Sequence, residues 1–142
     1  MKPEETIVFA VRRLANCIKR EVFGTYDGVT AMHGWLIGYL YNNRDKDIFQ
    51  RDIESQFSIR PSTVTVIVQK MEKNGLIERR PVEYDARLKK IVLTEKANHI
   101  HQKVEERMEE VEGHLRKDLS EDETKIFFEL ISKMIIEMEV KE

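Results

Sequence analysis

Residues 52–93 read DIESQFSIRPSTVTVIVQKMEKNGLIERRPVEYDARLKKIVL, and this stretch decides the fold. Ile53 and Phe57 stand one helical turn apart, the spacing of a short helix with one buried face. Ser58 breaks the pattern. Pro61 suits the first turn of a second helix, where its missing N–H costs nothing. From Ser62 to Asn74, Val64, Ile67, Val68 and Met71 fall on one side of that helix, while Ser62, Thr65, Val66, Gln69, Lys70 and Lys73 fall on the other. Gly75 is placed to close the helix in a left-handed conformation. Beyond it, residues 76–80 and 89–93 alternate and are expected to pair as a β-ribbon, with 81–88 as a loop carrying Asp85 and Arg87.

A helix that shows hydroxyls, an amide and amines outward, held against a shorter helix, has the geometry of a helix-turn-helix DNA reader. Followed by a charged hairpin, it is a winged helix. The expected fold class is therefore mainly α with a small β-wing (α+β).

The flanks fit this centre. Ile7, Val11, Leu14, Ile18 and Val22 recur at helical spacing, predicting an amphipathic helix over 4–22. A turn is expected at 24–28, then a helix from an N-cap at Thr30 to Tyr41, apolar on most of its circumference. Ile48 and Phe49 are expected to add a short strand to the wing sheet. Thr94 should cap a long helix to Lys117. Its positions Ala97, Ile100, Val104, Met108, Val111 and Leu115 form a heptad-like seam that calls for a partner. Ser120 and Glu123 form a capping box for a last helix bearing Ile126, Phe127, Leu130, Ile131, Met134, Ile135 and Met138. That is more apolar surface than one small domain covers. The expected organisation is one domain over 1–142, with 30–93 as a DNA-binding lobe and 4–22 with 94–140 as a dimerisation lobe.

The chain has 142 residues, enough for one domain with a core. Its formal charge of −2 does not advertise nucleic acid, but the distribution is informative. Residues 1–43 hold 5 basic and 4 acidic side chains, 44–93 hold 11 and 8, and 94–142 hold 8 and 14, giving net charges of +1, +3 and −6. The positive excess lies on the proposed reading segment. One cysteine excludes an internal disulfide and suits a reducing compartment. Met1 to Phe9 lacks the pattern of a secretory leader, and no run is long and apolar enough to span a bilayer. A cytoplasmic protein without membrane contact is expected.

The run IRPSTVTVIVQKMEKNGLIERR, the wing triplet Asp85-Ala86-Arg87 and the junction IVLTEKA resemble the MarR family of transcriptional regulators, over nearly the whole chain. The resemblance implies a dimeric winged-helix protein, most often a repressor released from a pseudo-palindromic operator by a ligand. Two departures stand out: Glu54, where the family usually has a small residue, and Val66, where it often has a polar or basic one.

On the reading helix, Ser62, Thr63 and Thr65 are placed to bond phosphates, Gln69 to pair with adenine and Val66 to touch a thymine methyl. Arg60 and Lys70 suit backbone contacts. Arg79, Arg80, Lys89 and Lys90 divide between phosphate contacts and plain strand-face charges. Arg87 is the sharpest candidate, as a guanidinium for a narrow minor groove, with Asp85 holding it by a charge-assisted bond. Trp35 and Tyr39 are candidates for a small aromatic effector by the resemblance, with core packing as the plainer role. Cys17 invites a redox reading, against that of a small buried hydrophobe. His99 and His101 diverge on a helix and cannot share a metal unaided. With no nucleophile–base set, phosphate loop or metal-spaced cluster in the sequence, neither an enzyme nor a cofactor is expected. The competing reading is a protein-interaction module in which the winged helix and terminal helices dock a protein partner.

Overall fold

The computed structural model describes residues 1–23 and 29–140; the expected turn at 24–28 lies outside them. After one 3-10 turn (Pro3–Glu5), α1 runs Ile7–Phe23, α2 Ala31–Asn42, α3 Gln50–Phe57 and α4 Pro61–Lys73. The strands β1 (Ile77–Val82) and β2 (Asp85–Leu93) follow, then α5 (Glu95–Arg116) and α6 (Glu121–Val140). This is the mainly α architecture with a β-wing that the sequence predicts. No helix among the described residues is long and apolar enough to cross a membrane.

Residues Met1–Met108 form one compact unit and Glu109–Glu142 a second. The first is organised around a core of Leu36, Ile37 and Leu40 from α2, Ile53 from α3 and Val64, Val68 and Met71 from α4. Leu76 and the strand residues Ile77 and Ile91 close it. A fully buried aliphatic side chain of this kind contributes about 1.5–3 kcal/mol. The first half of the α5 seam is used within this unit: Ala97 and Val104 are buried and Ile100 packs against the core. The seam's call for a partner thus applies to its second half alone.

Several element ends differ from expectation for local reasons. α1 starts at Ile7 rather than residue 4, because Thr6 accepts from the Phe9 N–H (3.1 Å) while Pro3–Glu5 makes a separate turn. α3 starts at Gln50, two residues before the stretch that decides the fold, since the Asp52 carboxylate reaches back to the Phe49 N–H (2.9 Å) from the third helical position. Ile48 and Phe49 form no strand: a single bond from the Ile91 N–H to the Ile48 carbonyl (2.8 Å) ties them to β2. Trp35 is 37% exposed rather than central to the core. Other ends fall as predicted. The Thr30 hydroxyl accepts from the His33 N–H (3.2 Å), and Ser120 and Glu123 exchange the two capping-box bonds at 3.0 and 2.9 Å.

Gly34 marks a close helix approach. A Cβ there would overlap the ring of Phe23, which is itself buried and set edge-on to Trp35. Alanine is the better helix former by about 1 kcal/mol, but overpacking a fixed ring costs about 1–3 kcal/mol. Gly34→Ala should therefore lower the thermal midpoint of unfolding followed by circular dichroism. An unchanged or raised midpoint would show that Phe23 yields freely.

Within the second unit, α6 buries no residue. Ile126, Phe127, Leu130, Ile135 and Met138 are exposed, Ile131 is half-buried, and Phe127 and Phe128 meet edge to face at 5.6 Å.

Candidate nucleic-acid interface

The turn between α3 and α4 is set by Ser58, which adopts a left-handed conformation (φ 52°), the only such non-glycine among the described residues. The Ile59 N–H bonds the Glu54 carbonyl (3.1 Å), closing α3, and Pro61 opens α4 one residue after Arg60. Val64, Val68 and Met71 fix the inner face of α4, so the helical period alone turns Ser62, Thr63, Val66, Gln69 and Lys70 outward. All five are exposed, Val66 at 63%. Thr65 is the exception. It is half-buried, its hydroxyl donating to the Pro61 carbonyl (3.0 Å) and accepting from the Gln50 amide (3.3 Å), so it braces the helix pair. At the far end, the Leu76 N–H bonds the Met71 carbonyl (2.9 Å) and the Gly75 N–H that of Glu72 (3.1 Å), with Gly75 at φ 74°. That is a Schellman stop.

The hairpin is longer than predicted. Its strands run to Val82 and from Asp85, so the tip is Glu83–Tyr84 rather than a loop over 81–88, and Asp85 and Arg87 sit on β2. Pro81 misleads a sequence reading, since proline ordinarily breaks a ladder. Here Ile91 turns its N–H outward to Ile48, which makes Arg79↔Ile91 and, two residues along, Pro81↔Lys89 non-hydrogen-bonded pairs. The proline thus removes no cross-strand bond. A register irregularity between Pro81 and Val82 follows, and buried Val82 anchors the tip.

Asp85 holds Arg87 as expected: one carboxylate oxygen accepts from the Arg87 backbone N–H (3.0 Å) and from its Nε (3.3 Å), while the arginine side chain remains 93% exposed. The other strand cations are mostly engaged. Arg79 makes a two-point contact with Glu72 on α4 (3.0 and 3.3 Å), Arg80 pairs with Glu78, and Lys90 with Asp47 (3.4 Å); Lys89 is exposed. The bond to Arg79 holds the Glu72 carboxyl below its usual range and raises the guanidinium above its own.

Glu72 was not singled out by the sequence. It joins the last turn of α4 to the wing across seven residues, a separation with no periodic signal. The Thr94 hydroxyl, donating to the Gly75 carbonyl (2.6 Å), and Lys96, donating to the Asn74 carbonyl (2.9 Å), tie the same helix end to the start of α5.

Trp35 and Tyr39 lie one turn apart on α2 but have different partners. Trp35 meets Phe23 edge-on at 5.2 Å, and half-buried Tyr39 meets Phe57 at 5.7 Å and packs on the core. Burial, helped by the Asp52 charge, raises the Tyr39 phenol. Half-buried Cys17 lines a hollow along α1 with Arg13 and Arg20. His101 is buried and stacked on Tyr41 at 4.1 Å; burial depresses its pKa, against an opposing pull from Glu105. No group of three or more metal-type ligands occurs among the described residues.

A braced helix pair with a polar outer face, running into a hairpin with an arginine near its tip, defines a winged helix-turn-helix protein. The sequence model of the MarR family matches residues 27–88. The HTH-type transcriptional regulator YwoH of Bacillus subtilis is 31% identical over 81 residues, a stretch spanning 57% of this chain and 58% of that protein. The crystal structure of the transcription regulator MarR from Oenococcus oeni PSU-1 is 33% identical, with 92% of this chain and 96% of that one covered and a TM-score of 0.76. A crystal structure of an S. aureus MepR–DNA complex shares the fold at a TM-score of 0.85 and 24% identity, covering 96% of this chain and 99% of that one. The chain belongs to the MarR family and is a transcription regulator, not an enzyme.

Proposed function

We propose that the chain is a sequence-specific reader of double-stranded DNA, acting as a ligand-responsive repressor and as a homodimer on a pseudo-palindromic operator. One observation carries the reading: the face of α4 with Ser62, Thr63, Val66, Gln69 and Lys70 is exposed while Val64, Val68 and Met71 on the opposite face are fully buried and Ile67 packs half-buried against the core, beside a hairpin with a solvent-exposed Arg87. In this reading α4 enters the major groove. Gln69 addresses adenine and Val66 a thymine methyl, while Arg60, Ser62, Thr63 and Lys70 meet phosphates. Thr65 and Arg79 keep the reader in shape through Gln50 and Glu72, Arg80 pairs along β1 with Glu78, and Lys89 remains for the backbone. Arg87 enters the minor groove, oriented by Asp85.

Two such surfaces must be held about one helical turn apart, roughly 34–36 Å, to read a two-fold site. The apolar side chains that α1 and α6 leave exposed are the surface we assign to that dimer, with 4–22 and 94–140 as the dimerisation lobe. Ile135, 48% exposed in the single chain, tests this without opening a core. Ile135→Glu should convert a dimer to a folded monomer in sedimentation equilibrium; a stable dimer would remove α6 from the interface. Aromatic effectors are assigned to the α2 surface at Trp35 and Tyr39, where binding would shift the population between DNA-competent and released dimers.

The competing reading has the winged helix and terminal helices docking a protein. Salt separates the two. Duplex affinity should fall steeply with salt as phosphates release counterions, whereas an apolar protein contact would barely respond. A duplex affinity flat in salt would favour the protein-docking module.

A further inference from the structure

The tip of the hairpin holds an aromatic residue that the DNA-reading surface has not yet used. Tyr84 is 70% exposed in the two-residue turn Glu83–Tyr84, and no hydrogen bond or ring contact engages it among the described residues. Turn chemistry does not ask for it, since such positions favour glycine, asparagine and aspartate. The local backbone is also constrained. Neither Glu83 nor Tyr84 has a positive φ, so the tip is not the mirror-image turn of a tight hairpin, and the irregular register at Pro81/Val82 takes its place.

A single exposed tyrosine is ordinary on a surface. Its neighbours make this one informative. Residues 83–87 carry Glu83, Asp85 and Arg87, a net charge of −1. A tip with that balance gains nothing as a whole from the field of a phosphate backbone. An apolar contact adds to what the Arg87 charge alone supplies in a groove, and Tyr84 is the one large apolar side chain on the turn. Arg87, three residues on and tethered to Asp85 through its backbone N–H and Nε, lies close enough in sequence for both side chains to engage one groove.

The geometry points to Tyr84 as a second DNA-contacting residue of the wing, its ring seated on the sugar edges or a flexible step of the minor groove beside Arg87. The inference rests on the reading of the hairpin as a DNA-contacting wing. In it Arg87 supplies the charge and Tyr84 the contact surface, and preference for a deformable step at the flank of each half-site comes from the ring.

The test uses the full chain and a duplex recovered by the wild-type protein from a random pool, with 2-aminopurine at the flanking minor-groove step. Tyr84→Ala should bind about tenfold more weakly, the scale of one lost aromatic contact to nucleic acid. Its salt dependence should be unchanged, because no phosphate contact is removed, and the fluorescence change at the flanking step should be lost. Tyr84→Phe should behave as wild type. Arg87→Ala should also weaken binding, with the salt slope reduced by about one.

Wild-type affinity in Tyr84→Ala beside a loss in Arg87→Ala would overturn the inference and leave the wing standing. A reduced salt slope in Tyr84→Ala would overturn it too, placing the effect on the Asp85–Arg87 pair. A Phe variant as weak as the Ala variant would assign the contact to the hydroxyl instead of the ring. Silence in both Tyr84→Ala and Arg87→Ala would remove the wing from the DNA altogether.

Discussion

Replacing Val68 with aspartate should unfold the first compact unit, whereas the same replacement two residues earlier, at Val66, should leave it folded and abolish duplex binding. Val68 is completely buried between α4 and the core formed with Leu36, Ile53 and Leu76. A carboxylate there is without a partner, and an uncompensated buried charge costs about 3–5 kcal/mol, much of a domain's total stability of about 5–15 kcal/mol. Val66 is 63% exposed on the opposite side of the same helix. Aspartate at 66 meets water in the free protein and phosphates in the complex, so its penalty appears only on binding. Thermal melts and duplex titrations of the two variants measure this. Equal stability in both would contradict the helical register on which the reading surface depends.

Arg87→Ala should weaken binding to the operator duplex about tenfold to a hundredfold, the loss expected for one specific arginine contact of about 1–3 kcal/mol. The fold should not respond. The side chain is 93% exposed, and its pair with Asp85 is an exposed one of the kind that contributes little to stability. Alanine also keeps the backbone N–H that Asp85 accepts at 3.0 Å, so the tip retains its shape. The loss is therefore assignable to DNA contact. Competition titrations at two salt concentrations provide the check, and full affinity in the variant would sink the minor-groove assignment.

The parts of the molecule legible in the sequence are those fixed within a few residues. The register of α4, the proline at its start, Gly75 at its stop, the Thr94 cap and the Ser120–Glu123 box each depend on neighbours one turn away. The Asp85–Arg87 contact was legible for the same reason.

What escaped the sequence depends on longer range or on orientation. Pro81 argues for a loop until the outward-turned Ile91 N–H reveals that its own missing N–H faces away from β2. The Glu72–Arg79 bond joins two elements through space, and Arg79 read in sequence is only one more strand cation. Thr65 carries the same hydroxyl as Ser62 and Thr63, and only the position of Gln50 shows it to be a brace. The half of α5 that packs inward is indistinguishable by spacing from the half that does not.

The most direct test is selection from a random duplex pool by the 142-residue chain, followed by sequencing, at low and moderate salt. The expected result is an enriched inverted repeat with half-sites about one helical turn apart, retained less well as salt rises. A pool left unenriched at both salts, with no duplex retained, would contradict the assignment of α4 and the hairpin as a DNA reader.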